Sequence, residues 1–187
     1  MKNKKGITLI EVLVTAGLTS IITLLIVYVY INGMQISDFN FKRFNASSNL
    51  DAVINNISQY SLLATSSPTT FDYGGKKYTD DSDTLILQIP SINSTGEVIN
   101  GYFDSIVYDY SATNKKLNEL IVPNVQSSRA LKDKTVAQNV AAVSFNQADT
   151  PKGLIQNIDM TINATSFGET TDYSLSKSVR MRNQSKL

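Results

Sequence analysis

Gly6-Ile7-Thr8-Leu9-Ile10-Glu11 opens an apolar run that continues to Ile31, and its reading decides the fold. From Ile7 to Ile31 there are 25 residues and a single charged side chain, Glu11. As an α-helix rising 1.5 Å per residue the run is about 37 Å long, enough to cross a bilayer. Lys2, Lys4 and Lys5 stand ahead of it, and this excess of positive charge predicts that the N-terminus stays in the cytoplasm while everything after Ile31 is exported. A cleaved secretory signal has a similar basic start, with Val14-Thr15-Ala16 as its small-residue cleavage site. That triplet lies inside the run and leaves fifteen apolar or small residues behind it, so a permanent anchor fits better.

Glu11 is the residue that the run does not explain. A carboxylate in a membrane helix costs on the order of 2.5 to 3.5 kcal/mol at the centre and less near the interface, so it calls for a partner. If the chain were cut after Gly6, the new amine on Ile7 would lie four residues from Glu11, on the same helix face. That amine could pair with Glu11 of its own chain or of a neighbour, and pairing between chains would fix the axial offset of two apolar helices that otherwise slide freely. A Glu11 that snorkels to the interface satisfies the same spacing.

A short basic leader ending in Gly6, followed by Ile7-Thr8-Leu9-Ile10-Glu11 and an apolar helix, closely resembles the type IV prepilin signal. The resemblance implies that a prepilin peptidase cuts between Gly6 and Ile7 and methylates the Ile7 amine. It further implies that Glu11 complements the amine of an adjacent pilin subunit as the pilus assembly machinery draws subunits from the membrane into a filament. Ile7 departs from the commonest residue at this position, Phe, while the small residue that cleavage requires, Gly6, is in place.

Periodicity carries the helix past Ile31. Ile36, Phe39, Ala46, Leu50, Val53, Ile57, Tyr60 and Ala64 form one apolar stripe at a period of 3.6, with Lys42, Asn45, Asn49, Asn56 and Gln59 opposite. The helix is expected to run to about Leu63 and to stop at Ser66-Ser67-Pro68, because proline disfavours helix at the residue before it. No proline interrupts it earlier, whereas major pilins of Gram-negative bacteria often carry one in the membrane half. The expected organisation is a leader over 1–6, a transmembrane and assembly helix over 7–31, an amphipathic continuation over 32–67, and a β-rich head over 68–187.

Within the head, Gly74-Gly75 reads as a turn and Thr84 to Ile89 as a strand ended by Pro90. Ser91 to Gly101 reads as loop. Tyr102 to Tyr110 and Leu117 to Val122 read as a hairpin, Asn124 to Thr135 as a surface connection, and Val136 to Phe145, Leu154 to Ile162 and Tyr173 to Arg182 as further strands. The fold class expected is α+β, a long helix packed on an antiparallel sheet.

Side-chain chemistry narrows the function. The chain has no His and no Cys, which removes the commonest bases, thiol nucleophiles and zinc ligands. No Gly-x-Ser-x-Gly and no Gly-rich phosphate loop is present, so no catalytic residue and no cofactor are assigned. Asp80, Asp81 and Asp83 invite calcium, yet the stretch lacks the alternating ligands, central glycine and terminal Glu of an EF-hand. It reads as a solvated loop, and no metal is assigned. Tyr102, Phe103, Tyr108 and Tyr110 read as core and cross-strand packing rather than a ligand platform. The formal charge of +1, which becomes −2 on side chains without Lys2, Lys4 and Lys5, gives no basic face for direct nucleic-acid binding.

The order of the head motifs carries a second resemblance. Ser82-Asp83-Thr84-Leu85-Ile86, a Tyr-rich strand before Leu117, Val136 to Phe145, and Val179-Arg180-Met181-Arg182-Asn183 together look like the W-type minor pilins and J-type pseudopilins. This implies a minor structural subunit of a type IV pilus or related filament, acting in initiation or at the tip. It would reside as a single-pass cytoplasmic membrane protein before assembly and at the cell surface afterwards. The competing reading is a signal-anchored, monomeric surface binding protein or adhesin that is never cut and never polymerises.

Overall fold

The computed structural model describes residues 8–150, 153–166 and 169–181. The leader with Gly6, Ile7 beside it, and Arg182 and Asn183 of the last motif lie outside the described residues. The chain divides into two compact units, Met1–Lys42 and Arg43–Leu187.

Helix α1, Leu9–Leu63, supplies everything described in the first unit after Thr8. Its first-unit side chains are mostly exposed, including Leu13, Leu24, Tyr30, Met34 and Ile36. Asp38 and Lys42 form an ion pair at 2.8 Å, four residues apart on one face.

In the second unit α1 becomes a core helix. Ala46, Leu50, Val53, Ile54, Ile57, Ser58 and Ser61 are buried, at the three- and four-residue spacings that put them on one stripe. Burial begins at Ala46; Ile36, placed on the same stripe by its spacing, is 62% exposed. The hydroxyl of buried Ser58 donates to the carbonyl of Ile54 at 2.6 Å, which satisfies it inside its own helix. After Leu63 the chain is captured by a strand edge, since Thr65 N–H donates to Gln88 O and Gln88 N–H donates to Ser66 O. The helix therefore ends where expected, and pairing to Gln88 joins Pro68 as a cause.

Nine strands follow among the described residues. β1 (Thr70–Tyr73) and β2 (Lys76–Thr79) form a hairpin. Its turn places Gly74 and Gly75 at φ 59° and 80°, the left-handed pair that a two-residue hairpin of matching twist requires. β3 (Thr84–Ile92), β4 (Val98–Ser111), β5 (Lys116–Val122) and β6 (Lys132–Gln138) make a four-stranded antiparallel sheet in that order. β7 (Val140–Thr150), β8 (Gly153–Ser166) and β9 (Glu169–Arg180) make a three-stranded one. The architecture is α+β, a long N-terminal helix packed through its second-unit half against antiparallel sheets.

Four expectations need correction. The surface connection read over Asn124 to Thr135 ends early, since β6 begins at Lys132 and pairs there with Ile121 of β5. β3 does not stop at Pro90 but continues to Ile92, because it is an edge strand whose register shifts between Pro90 and Ile92, and an edge strand at a bulge tolerates a missing N–H. The stretch read as loop contributes the start of β4, with Ile92 opposite Val98. The single strand read over Val136 to Phe145 is two strands in two sheets. Asn139 at φ 57° separates them, a left-handed conformation that Asn tolerates better than other side-chain-bearing residues.

Two cores result. The larger joins the buried α1 stripe to Leu85, Leu87, Ile89, Ile106, Tyr108, Leu117 and Ile121 of the four-stranded sheet and to Val143, Phe145, Ile158, Met160, Ile162 and Val179 of the three-stranded one. The smaller sets Ile86, Val107 and Leu120 under Phe71 and Tyr78 of the β1–β2 hairpin. Coverage on both faces explains why Leu85-Ile86-Leu87 is continuously apolar instead of alternating. Each such side chain contributes about 1.5 to 3 kcal/mol on full burial.

Candidate functional site around Glu11

Thr8 and Glu11 close the start of α1 on each other. The Thr8 N–H donates to Glu11 Oε2 at 2.9 Å, the Thr8 hydroxyl donates to the same oxygen at 3.0 Å, and the Glu11 N–H donates back to Thr8 Oγ1 at 3.3 Å. With Thr8 as N-cap, Glu11 occupies the third helical position, and the reciprocal bonds are those of a capping box. Sequence reasoning assigned Glu11 to pairing between subunits and missed this bond, although Thr8-Leu9-Ile10-Glu11 spells the S/T-x-x-E pattern that signals it. The box gives the carboxylate polar partners within its own chain, and it satisfies an N–H that the first turn would otherwise leave open.

The next turns carry hydroxyls that need no outside partner. Thr15 donates to Glu11 O at 2.8 Å, Thr19 to Thr15 O at 2.7 Å, Ser20 to Ala16 O at 2.8 Å and Thr23 to Thr19 O at 2.8 Å. Polar groups satisfied inside the helix are the kind that hydrocarbon accepts. The helix contains an 18-residue window of mean hydropathy 2.4, none of it buried, and is long and apolar enough to cross a membrane.

The other sequence candidates fall elsewhere. Asp80 accepts from Ile86 N–H at 3.0 Å and from Gln147 Nε2 at 2.8 Å, and Asp81 accepts from the N–H groups of Asp83 and Thr84. These carboxylates organise the turn into β3. Burial, with the neighbouring Asp81 charge, outweighs the hydrogen bonds from Ile86, Ser67 and Gln147 that pull the other way and leaves the Asp80 carboxyl above its ordinary value. No group of three His, Cys, Asp or Glu side chains suited to a metal occurs among the described residues. Tyr108 is fully buried and Tyr110 is packed against the larger core, while Tyr102 and Phe103 are exposed.

Two buried carboxylates escaped the sequence reading altogether. Asp104 is ringed by the connection between β5 and β6. Glu119 lies beneath α1 beside Tyr108, and Asn56, placed by spacing on the polar face of α1, meets the Tyr108 hydroxyl at 2.7 Å. Strand alternation alone puts Tyr108, Glu119 and Lys134 on faces. Only the register, Tyr108 opposite Glu119 and Glu119 opposite Lys134, brings them into one row.

Compared with known proteins, residues 1–27 match the prokaryotic N-terminal methylation motif. Neither a curated protein nor a solved structure matches the chain. The matched stretch contains the Thr8–Glu11 box and most of the apolar run, and it supports a type IV pilin-like family, which is structural and not enzymatic.

Proposed function

We propose that this chain is a minor pilin or pseudopilin, a structural subunit cut after Gly6 by a prepilin peptidase, methylated on Ile7 and built into a type IV pilus or related filament. The observation that carries the reading is the methylation motif over residues 1–27, coincident with the start of a helix apolar enough to span a membrane. Before assembly, Ile7 to Ile31 holds the subunit in the cytoplasmic membrane with the head outside. On assembly, apolar helices bury against one another and Glu11 sets the register by meeting the amine of a neighbour. In the isolated chain Glu11 is held by Thr8, so the neighbour's amine competes with, or adds to, an existing pair of bonds. The order of motifs in the head favours a place in initiation or at the tip.

The experiment is the N-terminus of the membrane-extracted protein, read by intact and peptide mass spectrometry. A start at N-methylated Ile7 is the expected result. An intact Met1 start in a host with an active prepilin peptidase would overturn the reading in favour of a monomeric surface anchor.

A further inference from the structure

Asn32-Gly33 and Asn100-Gly101 are the same dipeptide in two settings. Asn32 and Gly33 lie within α1, where each N–H is committed to the carbonyl four residues before it. Asn100 and Gly101 lie near the start of β4 and are exposed. There the register of β4 on β3 passes from Val98 straight to Phe103, and pairing with β5 begins only at Ser105. Neither Asn100 nor Gly101 therefore has a residue opposite it in either neighbouring strand. The Asn100 side chain makes no hydrogen bond among the described residues. Gly101 sits at φ 81°, a left-handed conformation natural to glycine, with open space within 4 Å of where a Cβ would stand.

The backbone nitrogen that follows an asparagine can close a five-membered ring on its side chain. In that step the N–H gives its proton to solvent, the nitrogen bonds to the asparagine Cγ, and Nδ2 leaves as ammonia. Water then opens the succinimide. Attack at Cγ gives aspartate, and attack at the backbone carbonyl carbon gives isoaspartate, in which the chain runs through Cβ and Cγ. One water is consumed and one ammonia released, with no oxidant, reductant or enzyme. Closure needs an N–H that no partner holds, a backbone free to leave its regular dihedrals, and no Cβ crowding the attacking nitrogen. Asn100-Gly101 meets all three conditions, whereas the helix denies Asn32-Gly33 the first two. We infer that Asn100 is a site of spontaneous covalent modification, a succinimide-forming asparagine whose co-reactant is water, and that α1 protects Asn32 from the same chemistry. Either product sets a new carboxylate on the exposed start of β4, three residues after Glu97, and isoaspartate also adds one CH2 to the backbone there. The inference does not rest on filament assembly, since Asn100 and its strand neighbours belong to the head unit.

The test is a timed incubation of the full-length protein in detergent micelles, followed by peptide mass spectrometry that separates aspartate from isoaspartate. Conversion is expected at Asn100, with isoaspartate among the products, while Asn32 stays intact. The rate should rise about tenfold from about pH 7 to about pH 8, because the deprotonated fraction of a weakly acidic N–H rises by that factor. Asn100→Gln, whose longer side chain closes a six-membered ring poorly, should stay unconverted. In the chain unfolded in guanidinium chloride, Asn32 and Asn100 should convert at similar rates. An Asn100 that persists in the folded protein while the unfolded chain converts would overturn the inference. So would aspartate without isoaspartate, the mark of direct hydrolysis of the side-chain amide. Equal conversion of Asn32 and Asn100 in the folded protein would overturn the protection by α1.

Discussion

Arg129 donates through Nη1 to the carboxylate of Asp104, a residue with no solvent exposure. Ser91 Oγ at 2.7 Å, Asn124 N–H at 2.9 Å and Ser127 Oγ at 2.8 Å complete the ring of donors. The same guanidinium nitrogen reaches Pro90 O at 2.5 Å. One carboxylate thus pins the connection between β5 and β6 to the end of β3. Truncating Asp104 leaves Arg129 without its counter-charge, and Asp104→Ala is expected to cost about 3 to 5 kcal/mol, measured by urea unfolding.

The same ring sets a pH dependence. Burial pushes the Asp104 carboxyl up, but the bonds from Ser91, Asn124, Arg129 and Ser127 together hold it below its ordinary value. Because the folded pKa is lower than the unfolded one, its contribution is present above the unfolded pKa, about 3.9, and is lost as pH falls through the folded value. Unfolding midpoints measured from pH 6 downward should therefore drop most steeply below about pH 4, and less steeply in Asp104→Asn.

Tyr108→Phe removes the one side-chain hydroxyl among the described residues that bonds Glu119, and with it the bond to Asn56. A loss of about 1.5 to 3 kcal/mol is expected, the range for a buried hydrogen bond to a charged group, measured by the same unfolding method. Burial, then the charge of Glu119, then the bond to it drive the Tyr108 phenol far above its ordinary range. The reversible alkaline absorbance change of the native protein should accordingly be the same with and without Tyr108.

Asn139 turns the chain from one sheet into the next at φ 57°. Asn139→Val is expected to destabilise by about 1 to 3 kcal/mol, while Asn139→Gly stays within about 1 kcal/mol of the original. A circular dichroism melt of both variants separates backbone strain from loss of the side chain. Equal losses would show that the asparagine acts through its amide and not through its conformation.

At the N-terminus, Thr8→Val should fray the first turn by removing the cap, worth about 1 kcal/mol, detected as faster amide exchange at Leu9 to Val12. Glu11→Gln should leave processing intact and abolish incorporation into filaments. Normal processing together with normal incorporation would sink the register role.

The helix and its stop were legible because their signals are local. Apolar spacing marks the stripe from Ala46 to Ala64, and the serines before Pro68 mark its end. The head was legible only as strands. Nothing in Val136 to Phe145 announces that Asn139 sends its two halves to different sheets, since periodicity on either side is that of one continuous strand. The burial of Ile54 and the exposure of Ile36 depend on where the sheets begin to cover α1, a distance along the helix that spacing does not encode. At the candidate site, Glu11 stood out because it is charged among apolar neighbours, but its bond to Thr8 was passed over in favour of a partner in another chain. Glu119 was hidden because a carboxylate in an alternating strand reads as solvent-facing, and only the pairing of β4, β5 and β6 shows it facing the helix.

Every strand pairing within the sheets joins neighbours in the chain, β3 to β4 through β6 and β7 to β8 to β9, yet the α1 stripe shares its core with residues as late as Val179. At the ribosomal rate of about 5 to 20 residues per second, the 116 residues from Leu63 to Val179 take roughly 6 to 23 s to appear. For that interval each hairpin can close on its own segment as soon as it emerges, while Leu50, Val53 and Ile57 wait beside a half-built cover. The span in which a nascent chain is most open to chaperones, proteases and its own kind is thus set by the last sheet to arrive, and an insertion in β8 or β9 would lengthen the exposure of a helix made long before them.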